Sequence, residues 1–188
     1  MAAWLRLETR LDPAAPSKRE CHTIVTAGER LVLFGGNDDQ GRFREVHVLD
    51  TVSLRWTRVE ATDAAPGKRS AHSAVMAADG RWMYVFGGWN GTEELGDVTR
   101  FDVDALEWER VATRGTPPAP RHFQMSARVG DRMCVCAARR GGAAWSARAA
   151  ARARARACSR PPPAPPTPRA GSSLAATTAW CGAATLSR

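Results

Sequence analysis

Arg30-Leu-Val-Leu-Phe-Gly35-Gly36 and Arg81-Trp-Met-Tyr-Val-Phe-Gly87-Gly88 decide how this chain of 188 residues folds. Each is an apolar run that stops at two adjacent glycines. Such a pair marks a backbone that must take positive φ or approach a neighbour closely. The two glycine pairs lie 52 residues apart, and the tryptophans keep the same interval at Trp4, Trp56 and Trp108. Their contexts agree as Trp4-Leu-Arg-Leu, Trp56-Thr-Arg-Val and Trp108-Glu-Arg-Val. Working outward, Arg19-Glu-Cys-His22 answers to Arg69-Ser-Ala-His72, each with a proline three residues earlier (Pro16, Pro66). Glu45-Val-His-Val-Leu-Asp50 answers to Gly96-Asp-Val-Thr-Arg-Phe-Asp102, and each aspartate stands six residues before its tryptophan. The chain is an internal repeat.

Each repeat reads as four short strands. Residues 22–26 and 30–34 are apolar-rich runs around Ala27-Gly28-Glu29, a hairpin signal, and Asp79-Gly80 takes that place in the second repeat. The third strand is predicted over 46–50 and 98–102. The fourth begins at Trp56 or Trp108, after polar turns at 51–55 and 103–107. Strands this close together, with no long helical period, predict antiparallel sheets repeated radially. One sheet of this kind cannot bury both faces, so stacking must complete the core. The tryptophan on each outer strand is expected to pack between neighbouring sheets.

The strand–Gly–Gly element, the Asp-x5-Trp element and the Arg-x-x-His element (Arg19/His22, Arg69/His72) together resemble the kelch family, whose repeat is about 50 residues long. Leu49 and Phe101 stand where that family usually has tyrosine, and both keep the apolar bulk. The resemblance implies four-stranded blades of a β-propeller. It assigns structural positions to Arg19, His22, Gly35, Gly36, Asp50 and Trp56, and to Arg69, His72, Gly87, Gly88, Asp102 and Trp108. The fold class is therefore all-β: an incomplete kelch-type propeller over residues 4–136, with two complete blades and flanking part-blades. Closure normally takes roughly four to eight blades. Open faces and edges are thus expected to drive self-assembly.

A third repeat starts with Pro120-Arg121, has Gln124 at the histidine position, turns at Val129-Gly130-Asp131-Arg132 and continues as Met133-Cys134-Val135-Cys136. Register then asks for two glycines at 137 and 138, where Ala137-Ala138 stand. A tryptophan should follow near 160, where Arg160 stands. From 137 to 188 only Ala, Arg, Gly, Trp, Ser, Cys, Pro, Thr and Leu occur. An alanine–arginine run covers 147–157, and proline dominates 160–169. No propeller strand is expected in this tail, which reads as disordered.

Charge divides at the same place. The net charge is +8, yet residues 1–136 carry 18 basic and 19 acidic side chains, and the tail carries nine arginines and no acid. The repeat region has no nucleic-acid footprint, so nucleic acid is expected at most through the basic tail. Three readings of the tail stand open. It is an arginine-rich arm for acidic surfaces, or a proline-helix ligand through Arg160-x-x-Pro163-x-x-Pro166. Alternatively it is the product of a shifted reading frame or mis-joined exon, since GC-rich codons encode every residue type in it.

No run of about 18 apolar residues exists, so no membrane span is expected. The amino terminus lacks an apolar signal core. Five cysteines without a framework spacing read as reduced thiols in a cytoplasmic protein.

Catalysis finds little to work with. His22 and His72 occupy equivalent repeat positions, which argues for a structural role over metal ligation. Cys134-x-Cys136 lies in a strand pattern, where alternate residues share a face, and reads as core packing. Some kelch-like propellers are copper oxidases with a tyrosine radical. The single tyrosine here, Tyr84, lies inside a repeat strand and gives that chemistry no support. No enzyme activity, cofactor or metal is expected. The expected function is a protein–protein interaction module, a non-catalytic scaffold or adaptor. The alternatives are a truncated or frame-shifted product without independent function, or a fragment of a kelch-type enzyme or metal protein. The candidate partner-binding residues lie in the segments 37–44 and 89–94: Asn37, Asp38, Asp39, Trp89, Asn90 and Glu93. Trp89 is read as a loop aromatic directly after a glycine pair, suited to anchor a partner.

Overall fold

The two apolar runs become the second strands of two four-stranded antiparallel sheets. The computed structural model describes residues 12–136 and 182–185. Trp4 and most of the tail, including both of its biased runs, lie outside the described residues. The first sheet comprises β1 (Thr23–Ala27) and β2 (Arg30–Phe34), then β5 (Val46–Asp50) and β6 (Arg55–Val59). Between them a two-stranded ribbon, β3 (Asn37–Asp38) and β4 (Gly41–Arg42), projects from the β2–β5 connection. The second sheet is β7 (Ser73–Met76), β8 (Trp82–Trp89), β9 (Glu94–Asp102) and β10 (Glu107–Arg110). A third contains β11 (Met125–Val129), β12 (Arg132–Cys136) and β13 (Gly182–Thr185). Every pairing is antiparallel, and no helix occurs among the described residues. The chain is all-β and has the architecture of a partial propeller.

Alternating side chains give the second sheet two apolar faces, and the cores form between it and the sheets on either side. Val32, Phe34, Val46 and Val48 of the first sheet pack with Met83, Val85, Phe101 and Trp108 of the second. The opposite face of the second sheet places Val75, Tyr84 and Phe86 with Met133 and Val135 of the third. Trp108 is buried, with ring centroids 4.8 Å from Phe34 and 5.2 Å from Phe101. Trp56 behaves differently. It stands opposite Leu49, on the face of the first sheet turned away from the second, and is half-buried there. Residues preceding the first sheet bond to that region. His47 Nδ1 lies 2.7 Å from the Ala14 carbonyl oxygen, and the Trp56 N–H donates to Asp12 Oδ2.

The glycine pairs join one sheet to the next. The Gly36 N–H donates to the Arg69 carbonyl at 2.9 Å, and the Gly88 N–H donates to the Arg121 carbonyl at 2.9 Å. A Cβ at Gly35 would stand 2.6 Å from the Arg69 oxygen, and one at Gly87 would stand 2.7 Å from the Arg121 oxygen. A second rail runs alongside: the Ala71 N–H donates to Cys21 C=O and the Phe123 N–H to Ala71 C=O. Cys21, Ala71 and Phe123 hold equivalent places before His22, His72 and Gln124, and all three take φ near +54°. In the second repeat the glycine pair does not end its strand. β8 runs through it to Trp89, with a register irregularity between Phe86 and Gly88 that absorbs the glycine conformation.

The Asp-x5-Trp element is a turn device. Asp50 Oδ1 accepts the N–H groups of Val52 and Ser53, and Asp102 Oδ1 accepts those of Asp104 and Ala105. Leu54 and Leu106 then take positive φ, and the chain turns back into the tryptophan strand. These N–H bonds hold the exposed Asp50 carboxyl below its usual range. The expectation of no strand beyond 137 fails at β13, which pairs with β12. Backbone pairing needs only N–H and C=O groups, so Gly-Ala-Ala-Thr suffices beside an open edge.

A Cβ at Gly88 would meet the Ser70 carbonyl oxygen and His72 Cβ at 2.9 Å, whereas Gly28, also at positive φ, has open space around it. Gly88→Ala is therefore expected to cost about 3 kcal/mol and Gly28→Ala about 1 kcal/mol. Urea unfolding of both variants checks this, and equal losses would contradict the close packing at the glycine pair.

Candidate functional site

Before any loop can serve as a site, its ends must be fixed, and paired Arg–acid clamps do this. Arg69, with its side chain almost wholly buried, donates to the Gly87 carbonyl at 3.0 Å and forks onto the Asp97 carboxylate at 2.9 and 2.8 Å. Arg19 donates to the Gly35 carbonyl and lies 3.5 Å from Glu45. Burial alone would raise the Glu45 carboxyl. The hydrogen bond from His47, with the charges of Arg58 and Arg19, outweighs it and holds the group below its usual range. Glu45 and Asp97 are missing from the sequence-derived residues, although they are 52 positions apart and so carried the repeat signal.

The six candidate partner-binding residues fall into different surroundings. Asn37 pairs through its backbone with Glu20 and donates Nδ2–H to the Glu20 carboxylate. Asp38 accepts the N–H groups of Gln40 and Gly41 and so shapes the β3–β4 turn. Asn90 does the same for Thr92 and Glu93. Asp39 and Glu93 are exposed. Trp89 is not in a loop: it is the last residue of β8, pairs with Glu94 and exchanges backbone hydrogen bonds with Ser70. Those two bonds with Ser70 extend the strand past the glycines.

The ribbon of the first repeat meets the turn of the second where a Cβ on Gly91 would lie 3.0 Å from Arg42 Nη1. Beside the ribbon is a cleft of about 310 Å³ whose lining includes Arg42, Phe43, Arg44, Lys68, Asp38 and Glu45. The Arg19 guanidinium stacks over the Phe43 ring at 4.0 Å.

Trp89 gathers neighbours that the linear sequence does not show. Its ring lies 5.6 Å from His122, which lies 5.1 Å from Phe123. His122 Nδ1 is 2.8 Å from Glu94 Oε1. Phe123 is 54% exposed although it is apolar and held at positive φ. Trp89, Glu94, His122 and Phe123 form an aromatic cluster with one carboxylate on its flank. The available signal for it was the residue before the histidine position, which is Cys21, then Ala71, then the much larger Phe123. The contact of its neighbour His122 with Trp89 spans more than thirty residues and needs the folded chain.

Chemistry that would act on a substrate is harder to assemble. Among the described residues no group of three or more His, Cys, Asp or Glu side chains is placed to hold a metal. His72 Nε2 lies 2.8 Å from Thr23 Oγ1, and the ring meets Phe34 edge-on at 5.0 Å. Burial, then the charges of Arg69 and His22, push its pKa down to about 3. Burial and the Arg19 charge lower His22 as well. Gln124, at the third equivalent position, donates Nε2–H to the Phe86 carbonyl at 2.7 Å. His72 and Gln124 thus line the joints between the described sheets, and His22 packs on Gly36 of its own sheet.

Comparison with known proteins agrees with the fold. The family described as the KLHDC2/KLHL20/DRC7 Kelch-repeats domain matches residues 2–142. Acyl-CoA-binding domain-containing protein 4 of Arabidopsis thaliana is 30% identical over 129 residues, covering 68% of this chain and 19% of that protein. Kelch domain-containing protein 3 of Rattus norvegicus is 29% identical over 130 residues, covering 68% and 34%. Rab9 effector protein with kelch motifs of Homo sapiens is 33% identical over 110 residues, covering 57% and 29%. The chain spans about a fifth to a third of the length of these relatives.

His72 is neutral in the folded chain down to pH of about 3, while an unfolded histidine takes up its proton near pH 6.5. Between those values the unfolded state binds more protons, so stability is full above about pH 6.5 and falls as the pH drops towards 3. Each such histidine contributes a slope of up to about 1.4 kcal/mol per pH unit. His72→Gln should lessen the loss between pH 7 and pH 5, leaving the His22 contribution. Urea unfolding at the two pH values measures it, and an unchanged loss in the variant would contradict the assignment.

Proposed function

The chain belongs to the kelch-repeat family, and on that premise we propose that it is a protein-binding module, a scaffold or adaptor without catalytic chemistry, acting in the cytoplasm. The observation that carries the reading is the exposed Phe123 beside His122, whose ring in turn meets Trp89. Aromatic side chains are enriched among the residues that dominate binding energy, and a rigid scaffold that fixes their placement lowers the entropic cost of docking. Here the scaffold is explicit: the Phe123 N–H is tied to Ala71 C=O, and His122 is tied to Glu94. A large aromatic kept exposed at positive φ serves no fold requirement that Cys21 or Ala71 does not meet with a smaller side chain. One relative is, by its name, an effector of Rab9. A role of that general kind, contact with another protein through a kelch surface, is the one we assign to this chain.

The partner surface on this reading centres on Phe123 and Trp89, with Glu94 supplying one carboxylate beside them. Phe123→Ala is expected to weaken partner capture at least about tenfold without moving the melting temperature. Val52→Ala serves as the control, since Val52 is 70% exposed in the turn after β5. Quantitative affinity capture of the same proteins by wild type and both variants reads the difference. Equal capture by the wild type and Phe123→Ala would overturn the reading.

A further inference from the structure

The third sheet closes on its third strand differently from the other two. β2 meets β5 over five residue pairs and β8 meets β9 over seven, and a fourth strand covers the far side of each. β12 meets β13 over four pairs only, and no fourth strand follows among the described residues. Register makes the three sheets comparable position by position, because Thr23↔Phe34, Ser73↔Phe86 and Met125↔Cys136 are equivalent pairs. In that register Leu31 faces Leu49, Met83 faces Phe101, and Met133 faces Ala184. Phe101 and Leu49 are both buried, and Phe101 packs on its sheet's tryptophan. The third sheet has alanine at this position. One position further on, Asp50 and Asp102 occupy the third strands of the first two sheets, and Thr185 faces Arg132. The Arg132 side chain is more than half exposed, and its ion-pair partner is its own neighbour Asp131, at 3.8 Å. Glycine and alanine are also depleted in strands relative to β-branched and aromatic residues.

We propose that the β12 edge is a strand-addition site for an extended segment of a partner protein, with a large apolar residue opposite Met133 and a carboxylate opposite Arg132, and that Gly182–Thr185 is the in-chain placeholder for it. The first two sheets show which strand this register favours: Val-His-Val-Leu-Asp in one and Val-Thr-Arg-Phe-Asp in the other. A partner strand of that pattern makes the same main-chain bonds as β13 and adds the missing apolar side chain. Main-chain pairing supplies affinity in such complexes, and alternate side chains supply specificity. The inference rests on the register of the third sheet and is independent of the aromatic cluster around Phe123.

The test uses the full chain and a fluorescein-labelled peptide with the sequence of residues 97–104, Asp-Val-Thr-Arg-Phe-Asp-Val-Asp. Fluorescence anisotropy should show the peptide binding. Ala184→Pro, which weakens the placeholder, should tighten binding about tenfold, and Ala184→Phe, which strengthens it, should weaken binding by a similar factor. Alanine in place of the peptide's phenylalanine should also weaken it about tenfold. Hydrogen exchange should slow in residues 132–136 on peptide addition and stay unchanged in 82–89, and the exposed-turn control Val52→Ala should alter none of this. The proposal is overturned if the peptide binds none of the three chains, if the two Ala184 variants bind it alike, or if protection appears in 30–34 or 82–89 instead.

Discussion

Two backbone hydrogen bonds, from the Gly36 N–H to the Arg69 carbonyl and from the Gly88 N–H to the Arg121 carbonyl, set the separation on which the rest of the structure depends. They require a chain with no Cβ, because one at Gly35 or Gly87 would collide with the carbonyl of the next sheet's entry segment, and one at Gly36 or Gly88 with the Glu20 or Ser70 carbonyl of its own repeat. Once the sheets are held at that distance, Phe34 reaches Trp108, and Tyr84 and Phe86 reach the third sheet. The arginine of each Arg-x-x-His segment then has a fixed target, a glycine carbonyl on one side and a carboxylate on the other. In the second of these segments His72 is shut into the joint, neutral, between the Thr23 hydroxyl and the Phe34 ring. A buried arginine whose partner is removed would leave an uncompensated charge, so the clamp ties the electrostatics to the same spacing.

Much of this was legible in the residues. The 52-residue interval located the strands of the two four-stranded sheets to within a few residues, because hydrophobic alternation and turn chemistry are local properties, but it did not show the β3–β4 ribbon. The Asp-x5-Trp spacing marked a turn, and the structure shows Asp50 and Asp102 bonding the next turn's N–H groups. What stayed hidden depends on contacts across the fold. The Arg69–Asp97 fork joins residues of two different elements, and only register plus proximity assigns it. Trp89 looked like a loop residue because glycine pairs usually end strands. Its pairing with Ser70 and Glu94, decided by the neighbouring segment, kept it in β8. Trp56 and Trp108 share a sequence context but not an environment, since the latter has a preceding sheet to pack against and the former has residues 12 and 14 near it. β13 was hidden for the opposite reason. Four small residues carry no strand signal, and the pairing comes from the edge they meet.

The repeats and their departures carry different information. Where the repeats agree, the residues hold sheets together, as with the glycine pairs, the arginines and the aspartates. Where they differ, the residues are free to meet something else. Phe123 replaces Cys21 and Ala71 at a position that asks only for a tolerated positive φ, and it stands exposed beside an aromatic pair. The third sheet replaces a buried leucine or phenylalanine position with alanine on a strand of weak propensity. Both departures fall in the third repeat, and both point to recognition of another polypeptide, by an aromatic anchor in one case and by a strand edge in the other.

The joint itself can be probed without changing a single residue. Native-state hydrogen exchange, followed by NMR at the individual amides of Gly36 and Gly88, reports whether those N–H groups open with their neighbouring strands or separately. If the glycine pairs join the sheets, both amides exchange only with the opening of the core, with the same free energy as the amides of Val32 and Val85. Exchange at the rate of the exposed turn at Asp39, while Val32 and Val85 stay protected, would contradict the account.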